Sequence, residues 1–240
     1  MHLFYQPQLD GPVPVVTIGG DEAHHAARVK RMEAGDAVRV LNGRGLVVEG
    51  VVATVRKERG EWVVDVRAGA SRLEARRVPA VRVLAGVPKG DRLEQMIDGL
   101  SQVGAASWAA LVSTRSVVDP REGKIDRLRR VCEESLKQCG RAWLLDVGEK
   151  VDFAEALRGA RGEVVLADAS GGRYAASGAG EVTLVVGPEG GLTPEEVALA
   201  RDVGAKVCSF GVHTMRVEVA AVVATGMIVD AGGSRMLPPR

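Results

Sequence analysis

The sequence predicts an α/β protein in which a small all-β unit precedes a larger domain built on a parallel sheet. Three observations carry this. Residues 36 to 67 are dense in β-branched, partly alternating runs. The charged stretch Ser71 to Arg77 marks a change of composition, and beyond it apolar strand-like runs alternate with helical patterns. Such alternation implies a parallel sheet covered on both faces. The expected domains are 1–72 and 73–240.

Along the chain, Asp21-Glu-Ala-His-His-Ala-Ala-Arg-Val-Lys-Arg31 reads as a short helix with Asp21 as its N-cap. Val38 to Leu41, Leu46 to Arg56 and Glu61 to Arg67 read as strands. Asn42-Gly43 with Arg44-Gly45 supplies one tight turn between them, and Lys57 to Gly60 another. A small barrel is the expected closure. In the second part, strands are expected at Val81–Val87, Trp108–Val112, Glu163–Ala167, Glu181–Val186 and Lys206–Phe210. Helices are expected over Asp91–Val103, Lys124–Gln138, from Pro194, and over Val217–Asp230. Gly171-Gly172 and Ser177 to Gly180 read as a flexible loop.

With 46% hydrophobic residues in 240, there is ample material for a core. No uncharged apolar run of about 18 residues exists, and the N-terminus lacks a signal-peptide core, so a soluble cytoplasmic protein without membrane contact is expected. Cys132, Cys139 and Cys208 lack the spacing of a disulfide framework or a zinc site, and no metal is expected. Cys132 and Cys139 share a helix face and read as core thiols. The net charge of +1 decides nothing about nucleic acid, but basic residues cluster at Arg28 to Arg31, Arg56 to Arg59, Arg72 to Arg77 and Lys124 to Arg130. With 3% aromatic residues, a base-stacking platform for single strands is not expected.

Chemistry concentrates near the C-terminus. The run Leu184-Val-Val enters a Gly187-Pro-Glu-Gly-Gly191 loop, where glycines let a ligand approach the backbone closely. Thr193-Pro-Glu-Glu196 then has the form of a capping box with proline at the first helical position. The loop lacks the Lys-Ser/Thr of a phosphate-binding loop and carries Glu189, so a neutral or cationic ligand suits it better than a phosphate. A second loop, Phe210-Gly-Val-His-Thr-Met-Arg-Val-Glu-Val-Ala220, sets Arg216 and Glu218 at the mouth of an apolar helix.

These two elements together resemble the paired signature of the RsmE group of SPOUT methyltransferases, bacterial 16S ribosomal RNA uridine-N3 methyltransferases. The likeness extends over nearly the whole chain: His24-His25, Val29-Lys-Arg31 and Gly35-Asp36 match the N-terminal pattern, Lys89, Asp91-Arg92 and Glu94 the start of the catalytic domain, and Gln138 with Arg141 a central helix end. The chain departs from the group where His213-Thr-Met215 stands for Arg-Ile-Leu, Val219 for Thr, Phe210 for Leu, and Ser101-Gln-Val-Gly104 for Thr-Glu-Leu-Gly.

The resemblance implies a PUA-like β-barrel for RNA, then a SPOUT α/β domain with a deep trefoil knot, acting as a homodimer on 16S ribosomal RNA within the 30S subunit. It implies S-adenosylmethionine held by Leu166, Ala167, Gly187, Glu189, Gly190, Gly191, Phe210, Gly211, Met215 and Ala220, with Arg216 and Glu218 catalytic. His25, Arg28, Lys30, Arg31, Lys89, Arg92, Arg115 and Arg141 are the expected RNA contacts, since phosphates are positioned mostly by Arg and Lys. One of the two histidines, His24 or His25, is as well explained by helix packing. Arg216 would stabilise the developing uracil anion. Glu218 would either orient Arg216 or act as base, and an adjacent arginine favours orientation. The rival readings are a SPOUT ribose 2′-O-methyltransferase and an inactive RNA-binding assembly factor.

Overall fold

The computed structural model describes residues 1–117, 122–233 and 236–237, and the chain divides into two compact units. The first takes in Met1–Ala75 together with Leu136–Leu144, and the second Arg76–Ser135 with Leu145–Leu237.

The first unit is a five-stranded mixed sheet with one helix. Its elements are β1 (His2–Tyr5), β2 (Val15–Ile18), α1 (Gly20–Arg28), β3 (Ala37–Leu41), β4 (Leu46–Glu58) and β5 (Glu61–Leu73). The sheet order is β1-β3-β4-β5-β2, antiparallel except for the β1–β3 pair. Alternating valines of β3, β4 and β5 point inwards with Phe4, Val16 and Ile18. The expected turn between β4 and β5 is a tight hairpin, with φ positive at both Arg59 and Gly60. Two register shifts along β4, near Gly50 and near Val52, bend the sheet. The Asn42 amide organises the turn before β4: it accepts the N–H groups of Arg44 (2.7 Å) and Leu46 (3.0 Å) and donates to the Leu9 carbonyl (3.0 Å).

Asp21 is not the N-cap of α1. Gly19 holds that position in extended conformation, and Asp21 lies with Glu22 in the first turn. There the carboxylates act through the helix dipole rather than through a capping hydrogen bond.

The second unit contains β6 (Arg76–Arg77), β7 (Ala80–Ala85), α2 (Arg92–Gln102), β8 (Ser107–Val112), α3 (Glu122–Cys139), β9 (Asp146–Val147), β10 (Val151–Asp152), α4 (Phe153–Arg158), β11 (Glu163–Arg173), β12 (Glu181–Val186), α5 (Pro194–Asp202), β13 (Lys206–Ser209), α6 (Val217–Ala231) and β14 (Met236–Leu237). The last four residues of α3 fall within the first unit. The sheet order is β10-β8-β7-β12-β11-β13, parallel throughout, with β9 alongside β8 and a separate antiparallel β14–β6 pair. Leu84, Leu111, Leu166 and Val185 pack with α4 and α5 on one face. On the other face α6 lies against β7 and β12 beside α2. Gly99 permits that helix contact, since a Cβ there would stand 2.8 Å from the Val222 side chain.

Two expectations are corrected. Gly171-Gly172 belongs to β11 rather than to a loop, because it pairs with β13 so closely that a Cβ on Gly171 would stand 2.4 Å from the Val207 carbonyl oxygen. Cys132 is buried as expected, but Cys139 is exposed. It is the last residue of α3, where the helix ends at Gly140 (φ 73°). Among the described residues, no helix is long and apolar enough to cross a membrane.

Trp108 is the largest fully buried side chain and sits in β8. Trp108→Ala should cost about 3–5 kcal/mol in unfolding free energy. A urea midpoint giving a loss below about 1 kcal/mol would contradict its place in the core.

Candidate functional site

Three strands that lie side by side and run the same way must end at the same edge of the sheet, and ligands bind at such edges. Here β12, β11 and β13 are those strands. The segments that follow Ala167, Val186 and Cys208 together line a cavity of about 340 Å³, closed by Val217 and Ala220 of α6. The β11–β13 register breaks at this edge: Cys208 opposes both Ala167 and Gly172. The residues between are extruded, which brings Asp168 and Ala169 to the cavity. The Asp168 carboxylate accepts the N–H (2.8 Å) and hydroxyl (2.6 Å) of Ser170 and so stabilises the bulge.

The loop after β12 is fixed from several sides. Pro188 lies directly over Gly86, where a Cβ would stand 2.6 Å from the proline Cα. The Gly191 N–H donates to the Pro188 carbonyl (2.8 Å), and Gly191 takes φ 69°. The expected capping box is present: Thr193 Oγ1 accepts the Glu196 N–H (3.2 Å), and Glu196 Oε2 accepts the Thr193 N–H (2.8 Å). Glu196 is buried, and its Oε1 also accepts the N–H (2.8 Å) and hydroxyl (3.0 Å) of Thr114, which follows β8.

In the loop after β13, Phe210 is buried and stacks on Tyr174 with ring centroids 5.7 Å apart. Burial, and then the Glu163 carboxylate, push the Tyr174 hydroxyl up to about 12, so it stays protonated and faces Glu163 as a donor. Val212, His213 and Thr214 are exposed along the cavity rim. Arg216 is the N-cap residue of α6; it is exposed, and its guanidinium has no hydrogen-bond or ion-pair partner among the described residues.

Glu218 does not pair with Arg216. It is 8% exposed, and its Oε1 lies 3.6 Å from Nη1 of Arg92, the first residue of α2. Its Oε2 has no hydrogen-bond partner among the described residues. Nη2 of the same Arg92 lies 3.7 Å from Glu189. Both separations exceed a hydrogen bond, so Arg92 acts on the two carboxylates by charge. It thereby ties the first turn of α6 to the loop after β12.

Of the sequence-predicted ligand residues, Ala167, Gly187, Glu189, Gly191, Phe210, Gly211, Met215 and Ala220 line the cavity. Leu166 is fully buried in the strand beneath and packs with the α4–α5 cluster. Gly190 lies on the loop with its carbonyl turned to Arg115 (2.8 Å). Arg216 directly follows the lining residue Met215, while Glu218 is turned towards Arg92. Among the basic candidates of the second unit, Lys89 is exposed, whereas Arg92 and Arg115 are engaged with protein groups. In the first unit His25, Arg28, Lys30 and Arg31 are exposed, as is His24, and Arg141 is half-buried. His25 stacks on His2 at 6.2 Å.

Sequence reasoning missed Asp168, Cys208, Ser209 and Leu192 as lining residues. The available signal was position: Asp168, Cys208 and Ser209 lie at or just past the end of an expected parallel strand, and Leu192 directly follows the 187–191 loop. No Lys or Arg is among the described residues that line the cavity. Among the described residues, no group of His, Cys, Asp and Glu is arranged to hold a metal ion.

Comparison with known proteins is consistent with this geometry. Residues 76–229 match the model of an RNA methyltransferase domain, and residues 18–61 that of an RNA methyltransferase PUA domain. A Mycobacterium tuberculosis protein named Ribosomal RNA small subunit methyltransferase E is 31% identical, over 94% of this chain and 90% of its own. Among solved structures, a chain from Porphyromonas gingivalis superposes with TM-score 0.83 at 24% identity, covering 97% of this chain and 98% of that one. Ribosomal RNA small subunit methyltransferase E from Neisseria gonorrhoeae, bound to S-adenosyl methionine, gives 0.79 at 18% identity, covering 95% and 96%. These superpositions show that the fold is shared.

The Arg92 bridge has a measurable consequence. Arg92→Ala leaves Glu218 buried without its cation and should lower stability by about 1–3 kcal/mol. Arg92→Ala/Glu218→Gln should lose clearly less than the two single variants summed. Additive losses in denaturant titrations would show that the charges do not interact.

Proposed function

The chain belongs to the ribosomal RNA small subunit methyltransferase E family, and on that footing we propose that it transfers a methyl group from S-adenosylmethionine to N3 of a uridine in 16S ribosomal RNA. The observation that carries this reading is the cavity at the ends of β11, β12 and β13, with the unpaired Arg216 at its rim.

The lining suits S-adenosylmethionine. Its size falls in the range for small-ligand pockets. Gly187, Gly191 and Gly211 leave backbone groups accessible, Phe210 and Met215 give an apolar wall, and Asp168 and Glu189 favour a cation over a phosphate. When bound, S-adenosylmethionine supplies a methyl group already activated by its sulfonium.

The protein then has to align the nucleophile and stabilise the charge that develops on it. Uracil N3 is weakly acidic and attacks well once its proton has left. Arg216 offers a free guanidinium at the rim, and the first backbone N–H groups of α6 add partial positive charge beside it. Both favour the uracil anion, and the N3 proton leaves to the solvent that reaches the exposed rim. Glu218 is a positioning residue. Through Arg92 it anchors the first turn of α6, and with it Arg216 two residues upstream.

His25, Arg28, Lys30, Arg31 and Arg141 of the first unit, with Lys89 of the second, supply contacts to RNA phosphates. The assembled 30S subunit in the cytoplasm is the setting in which these contacts are made. A second copy of the chain covers the outward face of α6, where Val219 (46% exposed) and Met227 (41%) flank the half-buried Val223 at helical spacing.

Two outcomes test this reading. Incubation of 30S subunits lacking base modification with donor and protein should yield one 3-methyluridine by nucleoside digestion and mass spectrometry. Arg216→Ala should remove that product while donor binding stays measurable. A methyl on ribose, or normal turnover by Arg216→Ala, contradicts the assignment. For the dimer, Met227→Glu should shift the protein to monomer in light scattering; an unchanged mass would place the interface elsewhere.

A further inference from the structure

The turn that follows β8 belongs to none of the three strands that form the cavity, yet it holds the loop that does. Ser113 to Ser116 closes on itself: the Ser116 N–H donates to the Ser113 carbonyl (3.0 Å), and Ser116 Oγ accepts the Ser113 N–H (2.9 Å). Two contacts extend from this rigid turn. Thr114 donates twice to the buried Glu196, the residue that caps α5. Arg115 Nη1 donates to the Gly190 carbonyl (2.8 Å), with the Leu192 carbonyl further off at 3.4 Å.

The arginine stem also packs on the loop. A Cβ built on Gly190 would stand 3.3 Å from Arg115 Cβ and 3.5 Å from Cδ, and no other residue's atoms come as near. Gly190 is not held at positive φ, so backbone conformation does not demand glycine there. A side chain there would instead meet the arginine stem, which would have to give by a few tenths of an ångström. Glu189 and Gly191, on either side of Gly190, both line the cavity. A charged donor on the carbonyl between them therefore sets the shape of the pocket wall from outside it.

We propose that Arg115 is a positioning residue for the methyl donor: it preforms the 187–191 loop through the Gly190 carbonyl, independently of RNA. This rests on the reading of that loop as the donor site. It differs from a phosphate-contacting role, because the guanidinium nitrogen that meets the loop is committed before RNA arrives. Preformation matters because a loop ordered only on binding takes its ordering cost out of the affinity.

The test is calorimetric titration of S-adenosylmethionine into the full-length protein without RNA. Arg115→Ala should weaken binding on the order of 10-fold, the loss expected for one charge-assisted hydrogen bond. Arg115→Lys should recover part of it, since an ammonium can reach a single carbonyl. Gly190→Ala should also weaken binding, and less so in the Arg115→Ala background, where Cγ and Cδ are gone and only the Cβ of residue 115 stays near the new methyl group. In methylation assays Arg115→Ala should raise KM for the donor by the same factor as it raises Kd. Donor binding by Arg115→Ala within twofold of wild type, or a rise in KM for RNA alone, overturns the proposal. If the wild-type protein binds no donor at high micromolar concentration, the donor site itself is wrong and the proposal falls with it. Arg115 is exposed, so its replacement leaves the core intact.

Discussion

Every part of the pocket depends on β11 being paired in parallel along both edges. With β12 on one side and β13 on the other, the ladder breaks after Ala167 and ends at Val186 and Ser209, so that segments far apart in sequence open onto one cleft. Reversing either strand would send its loop to the opposite edge of the sheet. The same pairing explains the bulge at Asp168. Cys208 opposes β11 at two positions, so the intervening residues are displaced into the cleft rather than continuing the ladder.

Charge is divided between the cavity and its surroundings. The lining carries Asp168 and Glu189, while the nearby cations Arg92 and Arg216 lie outside it. Their roles differ because their partners differ. Arg92 is committed to two carboxylates, and Arg216 to none among the described residues. This division follows from helix packing. Gly99 lets α2 and α6 approach closely, which brings the start of α2 to the first turn of α6 and gives Glu218 its cation there. The neighbouring N-cap arginine, Arg216, stays exposed and keeps no ion-pair partner among the described residues.

Local patterns were legible wherever the interaction is local. The capping box over Thr193–Glu196 spans a single helical turn, and the two glycine-bearing turns of the first unit depend on backbone conformation over a few residues. Expectations failed where a partner distant in sequence decides. Gly171-Gly172 has the composition of a loop, but β13 recruits it into a strand. The Asp21 cap is a different, local miss: its residue type suits a cap, but the backbone turns into the helix two residues earlier, at Gly19. The pairing of Glu218 with Arg92 instead of Arg216 could not be read from spacing, because two residues close in sequence need not face each other once a helix begins between them.

From the chain by itself came the α/β class, the all-β unit ahead of the parallel sheet, and the two loops that carry Glu189 and Arg216. These follow from periodicity, from turn and cap chemistry, and from residue types that leave few local alternatives. Tertiary structure alone decided that Leu136–Leu144 returns to the first unit, that Arg92 rather than Arg216 holds Glu218, and that Thr114 and Arg115 fasten the loop after β12. Each of these joins groups brought near only by the order of strands and helices. Strand order is set by which faces bury together, a long-range balance that no local window of sequence contains.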